Sequence, residues 1–427
     1  MASGLAVLGG PKAVTLDTRE QWQRPIEEQK AAVCELIEEG FLTGSGAGLP
    51  KRFEEEFKEF IGCRYVLNYS HGHLALASAF FAAGLGAGDE FIHPALGYIG
   101  AYAGALHMGA TPVFCESDPK TLLADPADIE RRITPRTRVI APIHHCGRVC
   151  DMDALLDICN RHGLVLVEDA AHAHGSEWDG RKIGSFGHIA CFSMQGTDPG
   201  GKPVSSGEGG ILVTNDRELY ERALIHAHLH RSGALEELSS PVYSKLEHQL
   251  LGWKWRAHPL AVALARVSLK SLPERIERFG ATRDELFDRI KGLPGIEPAH
   301  NYPKARGSEL FGGLCFLYSP QELGGLDITR FCEAIQAEGV PMSTGRFRKP
   351  EHLRAIYTMD LPGLWGRGHP GPANVPLPRY KEGDYPVTEA LVGRVLAMTG
   401  WIECVDGLIK QVATGISKVV EQHRKLL

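Results

Sequence analysis

Two residues of this chain could do complementary chemistry on one bound molecule. Lys202 opens the run KPVSSGEGG, and Asp169 lies upstream of it in the run VEDAAHA. A lysine amine can condense with an aldehyde to form an imine, and an aspartate can keep a ring nitrogen protonated, so that the ring withdraws electrons. The pair therefore predicts a site for a cofactor that carries both an aldehyde and a basic ring nitrogen.

The elements that would position this pair form a regular alternation of short apolar runs and helical patterns. Helical patterns such as Leu74–Ala83 and Met152–Arg161 lie between several of the apolar runs. This alternation predicts an α/β fold with a mostly parallel, seven-stranded sheet covered by helices on both faces. Ligands of such sheets bind beyond the carboxyl ends of the strands, where Asp169 is expected. The strand candidates are Tyr65–Asn68, Glu90–His93, Thr111–Cys115, Val139–Ile143, Leu164–Glu168, Ile189–Phe192 and Ile211–Thr214.

The rest of the chain predicts a second, smaller unit. Residues 258–289 have the pattern of long helices, interrupted near Pro273, that could connect two domains. We expect a large domain over residues 1–295, with an N-terminal arm at residues 1–25, and a small α+β domain over residues 296–427. The small domain is expected to contain a strand near Gly313–Tyr318, a helix over Ile328–Glu338, loops over Lys349–Asp384 and a last helix over about Val405–Leu426.

Composition narrows the class of protein. The 427 residues are 43% hydrophobic and 23% charged, with a net charge of −6, which gives no reason to expect nucleic acid or an anionic membrane as a partner. No apolar run approaches the roughly 20 residues that span a bilayer, and the N-terminus lacks the pattern of a secretion signal. Ten cysteines are spread along the chain, several of them in apolar runs. They are typical of reduced thiols, and we expect a cytoplasmic protein.

Three further residues suggest how a phosphate-bearing ring could be held. Gly72 lies in the run SHGH between a predicted strand and an apolar helix, where free backbone N–H groups and the helix dipole favour an anion. Ser193 follows another predicted strand and could donate its hydroxyl to the same phosphate. Tyr98 follows a third strand, where its ring could stack on a flat cofactor. Each feature alone is common in α/β proteins. They indicate a site for a phosphate-bearing ring only in combination with the lysine–aspartate pair.

Two histidine clusters raise the alternative of a metal site. His144, His145, Cys146 and Cys150 are close in sequence but lack a convincing closed ligand set. The second cluster is His226, His228 and His230, but the preceding residues predict a helix, which would separate the middle histidine from the other two. We therefore predict no metal ion.

Together these motifs resemble the DegT/DnrJ/EryC1/StrS family of pyridoxal-phosphate sugar aminotransferases. Members of that family carry an SxGT phosphate loop, an EDxAxAxG motif, and FSxxxxK followed by GEGG. The corresponding residues here are 70–73 (SHGH), 168–175 (EDAAHAHG), 192–193 (FS) and 202–210 (KPVSSGEGG). The resemblance implies a fold-type-I enzyme that binds pyridoxal 5'-phosphate and forms a homodimer with active sites at the subunit interface.

The same resemblance implies a role for each matching residue. Lys202 would bind the cofactor aldehyde and move the proton between the substrate Cα and the cofactor C4′. Asp169 would pair with the pyridine nitrogen, and His172 would lie near the ring and its 3-hydroxyl. The other cofactor-binding residues would be Gly72, His73 and Ser193 at the phosphate, Tyr98 on the ring face, and Lys254 and Arg256, in the segment GWKWRAHP, at the phosphate of the other subunit.

Four departures from the family pattern bear on these roles. Residues 198–201 (DPGG) separate the lysine from its usual spacing, so that Asp198 takes the expected lysine position. Alignment on the GEGG run restores Lys202 to register, although a loop of this kind could also displace its amine. The remaining departures are His73 in place of threonine, Lys254 in place of asparagine and Gly97 in place of threonine.

The leading functional hypothesis is transfer of an amino group from glutamine or glutamate to a keto sugar or keto cyclitol. The variant segment KWRAHP is more similar to the cyclitol and aminoglycoside branch of the family. One alternative is a dehydratase, epimerase or lyase on the same scaffold, although Lys202 disfavours the sugar dehydratases, which carry histidine at that position. Another is a cofactor-binding paralogue without turnover. Acceptor specificity is expected on the loops Ser232–Lys254 and Lys349–Asp384.

Overall fold

The computed structural model describes residues 4–40, 47–228, 231, 238–246, 252–344, 347, 349–359 and 377–427. The α-helices of these residues are α1 (Ile26–Glu39), α2 (Gly48–Ile61), α3 (Gly72–Ala82), α4 (Ile99–His107), α5 (Pro126–Arg131), α6 (Met152–His162), α7 (Arg217–Ala227), α8 (Pro259–Ile290), α9 (Ile328–Ala337), α10 (Ala355–Thr358), α11 (Pro386–Val392) and α12 (Leu408–Glu421). The strands are β1 (Tyr65–Tyr69), β2 (Glu90–Pro94), β3 (Thr111–Cys115), β4 (Thr137–Ile140), β5 (Val165–Asp169), β6 (Glu177–Trp178), β7 (Arg181–Lys182), β8 (Ile189–Ser193), β9 (Gly210–Thr214), β10 (Ile296–Pro298), β11 (Ala305–Arg306), β12 (Leu314–Tyr318), β13 (Met342–Thr344) and β14 (Val395–Met398).

The central sheet has seven strands in the order β1-β9-β8-β5-β4-β2-β3. Strand β9 is antiparallel to both of its neighbours, and the other pairings are parallel. Each apolar run that predicted a strand contributes to this sheet, which confirms the predicted α/β fold with a mostly parallel sheet. The carboxyl ends of β1, β8 and β5 and the start of β9 consequently lie along one edge.

Helix α3 is buried because its sequence, GHLALASAFFA, is apolar around most of its circumference. It packs against α4, α7 and the strands β8 and β9. A Cβ atom at Gly104 of α4 would lie 2.5 Å from the Cβ of Ala77, so this glycine permits the close approach of the two helices. Burial of each large side chain, such as that of Phe80, contributes about 1.5–3 kcal/mol. This packing fixes where α3 begins, directly at the sheet edge.

A second sheet, of four antiparallel strands in the order β10-β12-β14-β13, belongs to the C-terminal part of the chain. Its core includes side chains of α9 and α12 and also Leu5 and Val14 from the N-terminal arm. The carboxylate of Glu338 accepts hydrogen bonds from the backbone N–H groups of Ala6 and Ala13, at 2.8 and 2.9 Å. The sheet begins at Ile296, which agrees with the predicted boundary after residue 295; the division into two domains stays a prediction.

The predicted interruption near Pro273 is wrong, since α8 is continuous from Pro259 to Ile290. A proline inside a helix costs about 3 kcal/mol through a lost hydrogen bond and a steric clash. Leu269, Leu272 and Phe279 on either side of it are buried, and their packing offsets that cost. The last helix is also shorter than predicted and ends at Glu421.

None of the helices in the described part of the chain is long and apolar enough to cross a membrane. The described part of the predicted loop region 349–384 contains the short helix α10. Residues 360–376 of that region, residues 232–237 and 247–251 of the other predicted specificity loop, and His230 lie outside the described residues.

Candidate active site

Sequence-predicted residues converge where four neighbouring strands meet at one edge of the central sheet. Strand β5 ends at Asp169, and Ser193, which ends β8, pairs with Gly210 at the start of β9. Gly210 also pairs with Tyr69, the last residue of β1, from which the chain turns into α3. The order of the strands thus brings Asp169, Ser193 and Gly72 to the same edge.

The turn before α3 is built for close approach of backbone to backbone. A Cβ atom at Gly72 would lie 2.7 Å from the Cβ of Ser193, and one at Gly210 would lie 2.4 Å from the carbonyl carbon of His71. Gly72 is the first residue of α3, whose unpaired N–H groups and positive dipole end face the sheet edge. This geometry suits an anionic group such as a phosphate.

Lys202 lies at the tip of a hairpin that extends β8 and β9 beyond the sheet. Gly196 and Gly207 exchange two backbone hydrogen bonds of 2.8 Å, so the strands stay paired up to that point. The Lys202 N–H then donates to the carbonyl of Gln195 at 2.9 Å, and the Ser205 hydroxyl donates to the carbonyl of Lys202 at 2.6 Å. The inserted residues 198–201 are accommodated within this tip, while the GEGG run keeps its pairing.

The inserted residues are fixed by a buried ion pair. Nη1 of Arg275, on α8, donates to Oδ1 of Asp198 at 2.8 Å, and both side chains are buried. Nη2 of the same arginine donates to the carbonyls of Pro203 at 2.7 Å and Ser268 at 2.8 Å. Asp198, which takes the usual lysine position in sequence, therefore binds Arg275. The guanidinium of Arg275 thus contacts the loop on both sides of Lys202.

The amine of Lys202 lies against an aromatic ring that sequence reasoning missed. Its Nζ is 3.8 Å from the centroid of Phe311. The ring of Phe311 is in turn 4.7 Å from that of His172, centroid to centroid. The positive charge of Lys202 is also among the groups that act on the pKa of Asp169. The structure thus brings together the three predicted catalytic residues, Lys202, Asp169 and His172.

Asp169 is held in a buried position that favours a positively charged partner. Burial raises the pKa of its carboxyl group, and this rise is opposed by the N–H of Ala171, at 3.0 Å, and by the charges of Lys202 and His144. A buried carboxylate is costly unless it is paired. A protonated ring nitrogen would supply that pairing.

The ring of His172 is oriented by a hydrogen bond from the backbone. Its Nδ1 accepts a hydrogen bond from the N–H of Cys146 at 3.1 Å. A neutral imidazole whose Nδ1 is an acceptor carries its proton on Nε2. His172 can therefore donate from Nε2 to an oxygen of a bound ring.

The two histidines of the first cluster, His144 and His145, form hydrogen bonds within the protein. Nδ1 of His144 accepts from the N–H of Cys150 at 3.2 Å, and its Nε2 lies 3.2 Å from Glu168. His145 Nε2 lies 2.6 Å from the carbonyl of Leu96. Among the described residues, no group of three or more histidine, cysteine or acidic side chains could hold a metal ion.

Tyr98 and His73 lie next to each other at the starts of α4 and α3. The Tyr98 side chain is exposed, at 64%, and a Cβ atom at Gly100 would lie 2.3 Å from its ring. The ring is thus accessible to a ligand. Nδ1 of His73 lies 2.7 Å from the carbonyl of Gly100, so this nitrogen is engaged with the backbone. The contribution of His73 to a phosphate site would come from its backbone N–H.

Lys254 and Arg256 flank the turn before α3 of their own chain. The carbonyl of Trp255, between them, accepts a hydrogen bond from the N–H of Ser70 at 2.7 Å. Lys254 is exposed and Arg256 is half-buried. Burial and the nearby charge of Arg231 lower the pKa of Arg256. A concentration of positive charge beside this turn favours an anionic ligand.

The missed residues differ in how far the sequence could have revealed them. Phe311 stands in the run LFGG, and a lone aromatic residue beside two glycines ahead of a predicted strand is a signal that could have been weighed. Arg275 lies within a long helical pattern, and nothing in its spacing connects it with Asp198.

The central sheet and its order of strands are those of a fold-type-I aminotransferase. The sequence model of the DegT/DnrJ/EryC1/StrS aminotransferase family matches residues 23–361, and the chain belongs to this family, as its motifs predicted. The L-glutamine:scyllo-inosose aminotransferase of Streptomyces griseus is 34% identical over 79% of this chain and 80% of its own length. The L-glutamine:2-deoxy-scyllo-inosose aminotransferase of Streptoalloteichus tenebrarius is 29% identical over 95% of both chains. The structure of S. venezuelae DesV in complex with a ketimine intermediate has a TM-score of 0.75 at 28% identity, covering 93% of this chain and 95% of that one.

Proposed function

We propose that this aminotransferase binds pyridoxal 5'-phosphate at the carboxyl edge of the central sheet. Gly72 and Ser193 would hold the phosphate, because the turn at Gly72 offers backbone N–H groups and Ser193 lies in contact range of it. Asp169 would pair with the ring nitrogen and His172 would donate to a ring oxygen. Lys202 would form the covalent link. The fit rests on the buried carboxylate of Asp169 and on the glycine-lined turn.

The remaining proposed contacts come from the rim of this site. The exposed ring of Tyr98 would cover one face of the cofactor ring, and the backbone of His73 would add to the phosphate site. Lys254 and Arg256 would place positive charge at the phosphate bound by the other subunit.

When bound, the cofactor supplies an electron sink for the donor Cα and a carrier for the amino group. The protein would supply the proton transfer, for which Nζ of Lys202 must be unprotonated when it removes the proton from Cα. The observation that carries the proposal is the convergence of Lys202 Nζ, the buried Asp169 carboxylate and the His172 ring. Contact with the apolar ring of Phe311 would keep water away from that amine.

For the reaction, we propose transfer from L-glutamine or L-glutamate to a keto cyclitol or keto sugar. The names of the two curated relatives, which use L-glutamine and an inosose, support this choice. The test is a half-reaction with the cofactor-loaded protein. Glutamine or glutamate should remove the visible absorption of the lysine-bound cofactor, and scyllo-inosose should restore it. Absence of bleaching with both donors would refute transamination by these donors.

We further propose a cytoplasmic homodimer in which the segment around Arg256 completes the site of the partner. The exposed aromatic side chain of Trp253, within this segment, supports an interface there. The test mixes two inactive variants, Lys202→Ala and Arg256→Ala. In a shared site the mixed dimer contains one intact site, so refolding the two together should restore part of the activity. No recovery in a mixture shown by mass to contain mixed dimers would refute the shared site.

A further inference from the structure

A cavity of about 590 Å³ lies between the N-terminal arm, the inserted loop and the four-stranded sheet. Thr18 and Glu20 of the arm and Pro199 and Gly200 of the insertion form part of its wall. Phe311 lines it as well, and Nζ of Lys202 lies 3.8 Å from the centroid of that same ring. Sites for small molecules have volumes of roughly 300–1,000 Å³. The cavity therefore has the size of a ligand site, and one of its lining rings contacts the amine of Lys202.

The wall of the cavity combines hydroxyl groups with aromatic rings. A hydroxyl both donates and accepts hydrogen bonds, so it matches the hydroxyl groups of a polyol. Aromatic rings offer flat apolar faces that match the C–H faces of a saturated six-membered ring. The hydroxyl-bearing side chains are Thr18, Ser343, Thr344 and Thr399, and the aromatic ones are Phe279, Phe311 and Trp401.

The charge of the wall selects among hydroxylated ligands. Glu20 is the charged residue among the described residues that line the cavity. Its carboxylate accepts three backbone hydrogen bonds of 2.9 Å, from Trp22, Ile402 and Glu403. A carboxylate offers about four acceptor positions, so it can still accept a bond from a ligand hydroxyl or amine. Among the described residues that line the cavity, no cation offsets the repulsion between this carboxylate and a diphosphate.

We infer that this cavity binds the ring of a free polyhydroxylated acceptor, such as a keto cyclitol, rather than a nucleotide-linked sugar. The inference rests on the proposed function and assigns acceptor recognition to the arm, the insertion and the ends of β13 and β14. Pro199 and Gly200 belong to the insertion that separates this chain from the usual family spacing, so the insertion contributes to the choice of acceptor.

The test measures binding of scyllo-inositol, which has the hydroxylated ring but no carbonyl to react, to the cofactor-loaded protein by ligand-observed NMR. Thr399→Val removes one hydroxyl at nearly constant volume and should weaken binding roughly 3- to 10-fold, the effect of one hydrogen bond. Ser343→Phe fills the cavity and should weaken binding by more than about 10-fold, since it removes space for the ring. The matched control is Thr414→Val, an exposed position on α12, which should bind like the wild type.

Three results would overturn the inference: no binding of scyllo-inositol by the wild type, equal binding by all variants, or binding of UDP-glucose that Ser343→Phe abolishes. Kinetics separate the inference from the proposed function. The rate of bleaching by glutamine tests the donor half-reaction and should stay within 2-fold in the control Thr414→Val, whereas the KM for scyllo-inosose should rise in Thr399→Val. If the wild type binds scyllo-inositol in the cavity but no amino acid bleaches it, the proposed function fails while the cavity assignment stands.

Discussion

The buried pair of Arg275 and Asp198 provides a sharp test of what stabilises the loop that carries Lys202. Replacement of Arg275 by methionine leaves the buried Asp198 carboxylate without its cation and removes the donors to the carbonyls of Pro203 and Ser268. Removal of one partner of a buried ion pair costs about 3–5 kcal/mol. We expect the free energy of unfolding to fall by that amount, as measured by urea titration of the protein without cofactor.

The matched control is Arg289→Met, which removes an exposed arginine paired with Glu285 on the same helix. Pairs of this kind contribute about 0.5 kcal/mol or less, so the control should be nearly as stable as the wild type. The double variant Arg275→Met with Asp198→Asn removes both buried charges and should be more stable than Arg275→Met alone. A deficit below about 1 kcal/mol for Arg275→Met, or no recovery in the double variant, would refute the reasoning.

The pH dependence of the same variant gives an independent check. Burial raises the pKa of Asp198, and Arg275 opposes that rise. Without the arginine, the folded state should bind a proton at a higher pH than the unfolded state does, so acid stabilises the fold relative to neutral pH. The deficit of Arg275→Met relative to wild type should therefore shrink as the pH falls from 7 towards about 5. A deficit that grows over this range would contradict the assignment of an unpaired carboxylate.

Three further perturbations test the site and its surroundings. Lys202→Ala should show no covalent cofactor in a mass spectrum after borohydride reduction, whereas the exposed control Lys270→Ala should retain it. A cofactor adduct on Lys202→Ala would refute Lys202 as the residue that binds the cofactor covalently. Gly72→Ala places a Cβ atom 2.7 Å from the Cβ of Ser193. Overpacking of this kind costs about 1–3 kcal/mol, so cofactor binding should weaken roughly 5- to 150-fold. Gly86→Ala, where a Cβ atom meets no close neighbour, is the control. Burial lowers the pKa of His174 to about 3, so the unfolded state binds a proton more readily and acid destabilises the fold. The wild type should therefore lose about 1 kcal/mol of stability through this histidine between pH 6.5 and 5.5, and His174→Phe should remove that loss. An equal loss in the variant would contradict a buried neutral histidine.

The central sheet was predictable because its strands are apolar runs bounded by turn residues. The ends of the strands were less predictable, as β4 illustrates. The apolar run continues to Ile143, but the strand ends at Ile140. Pro142 has no N–H to donate to the ladder, and beyond it Ile143 forms an isolated bridge with Asp169. The apolar pattern marked the burial of these residues, whereas the proline decided where regular pairing stops.

The candidate site was predictable to the extent that its residues follow strands directly. Asp169 and Ser193 end strands, and the parallel order of β5 and β8 alone brings them to one edge. Contacts from other parts of the chain carried no local signal. Phe311 reaches Lys202 from the segment before β12, and Arg275 reaches Asp198 from α8. Such contacts depend on how the C-terminal sheet and α8 pack against the hairpin, which a sequence pattern does not encode.

The insertion shows why alignment on the GEGG run gave a consistent register. Strand pairing fixes the run, because Gly210 must oppose Ser193, while the hairpin tip can lengthen without disturbing that ladder. Extra residues in the tip then need their own stabilisation, which Arg275 provides for Asp198. The next two residues, Pro199 and Gly200, form part of the cavity wall. One loop thus links the position of the amine to the space beside it, so a change in acceptor preference could arise there without any change to Asp169 or to the turn at Gly72.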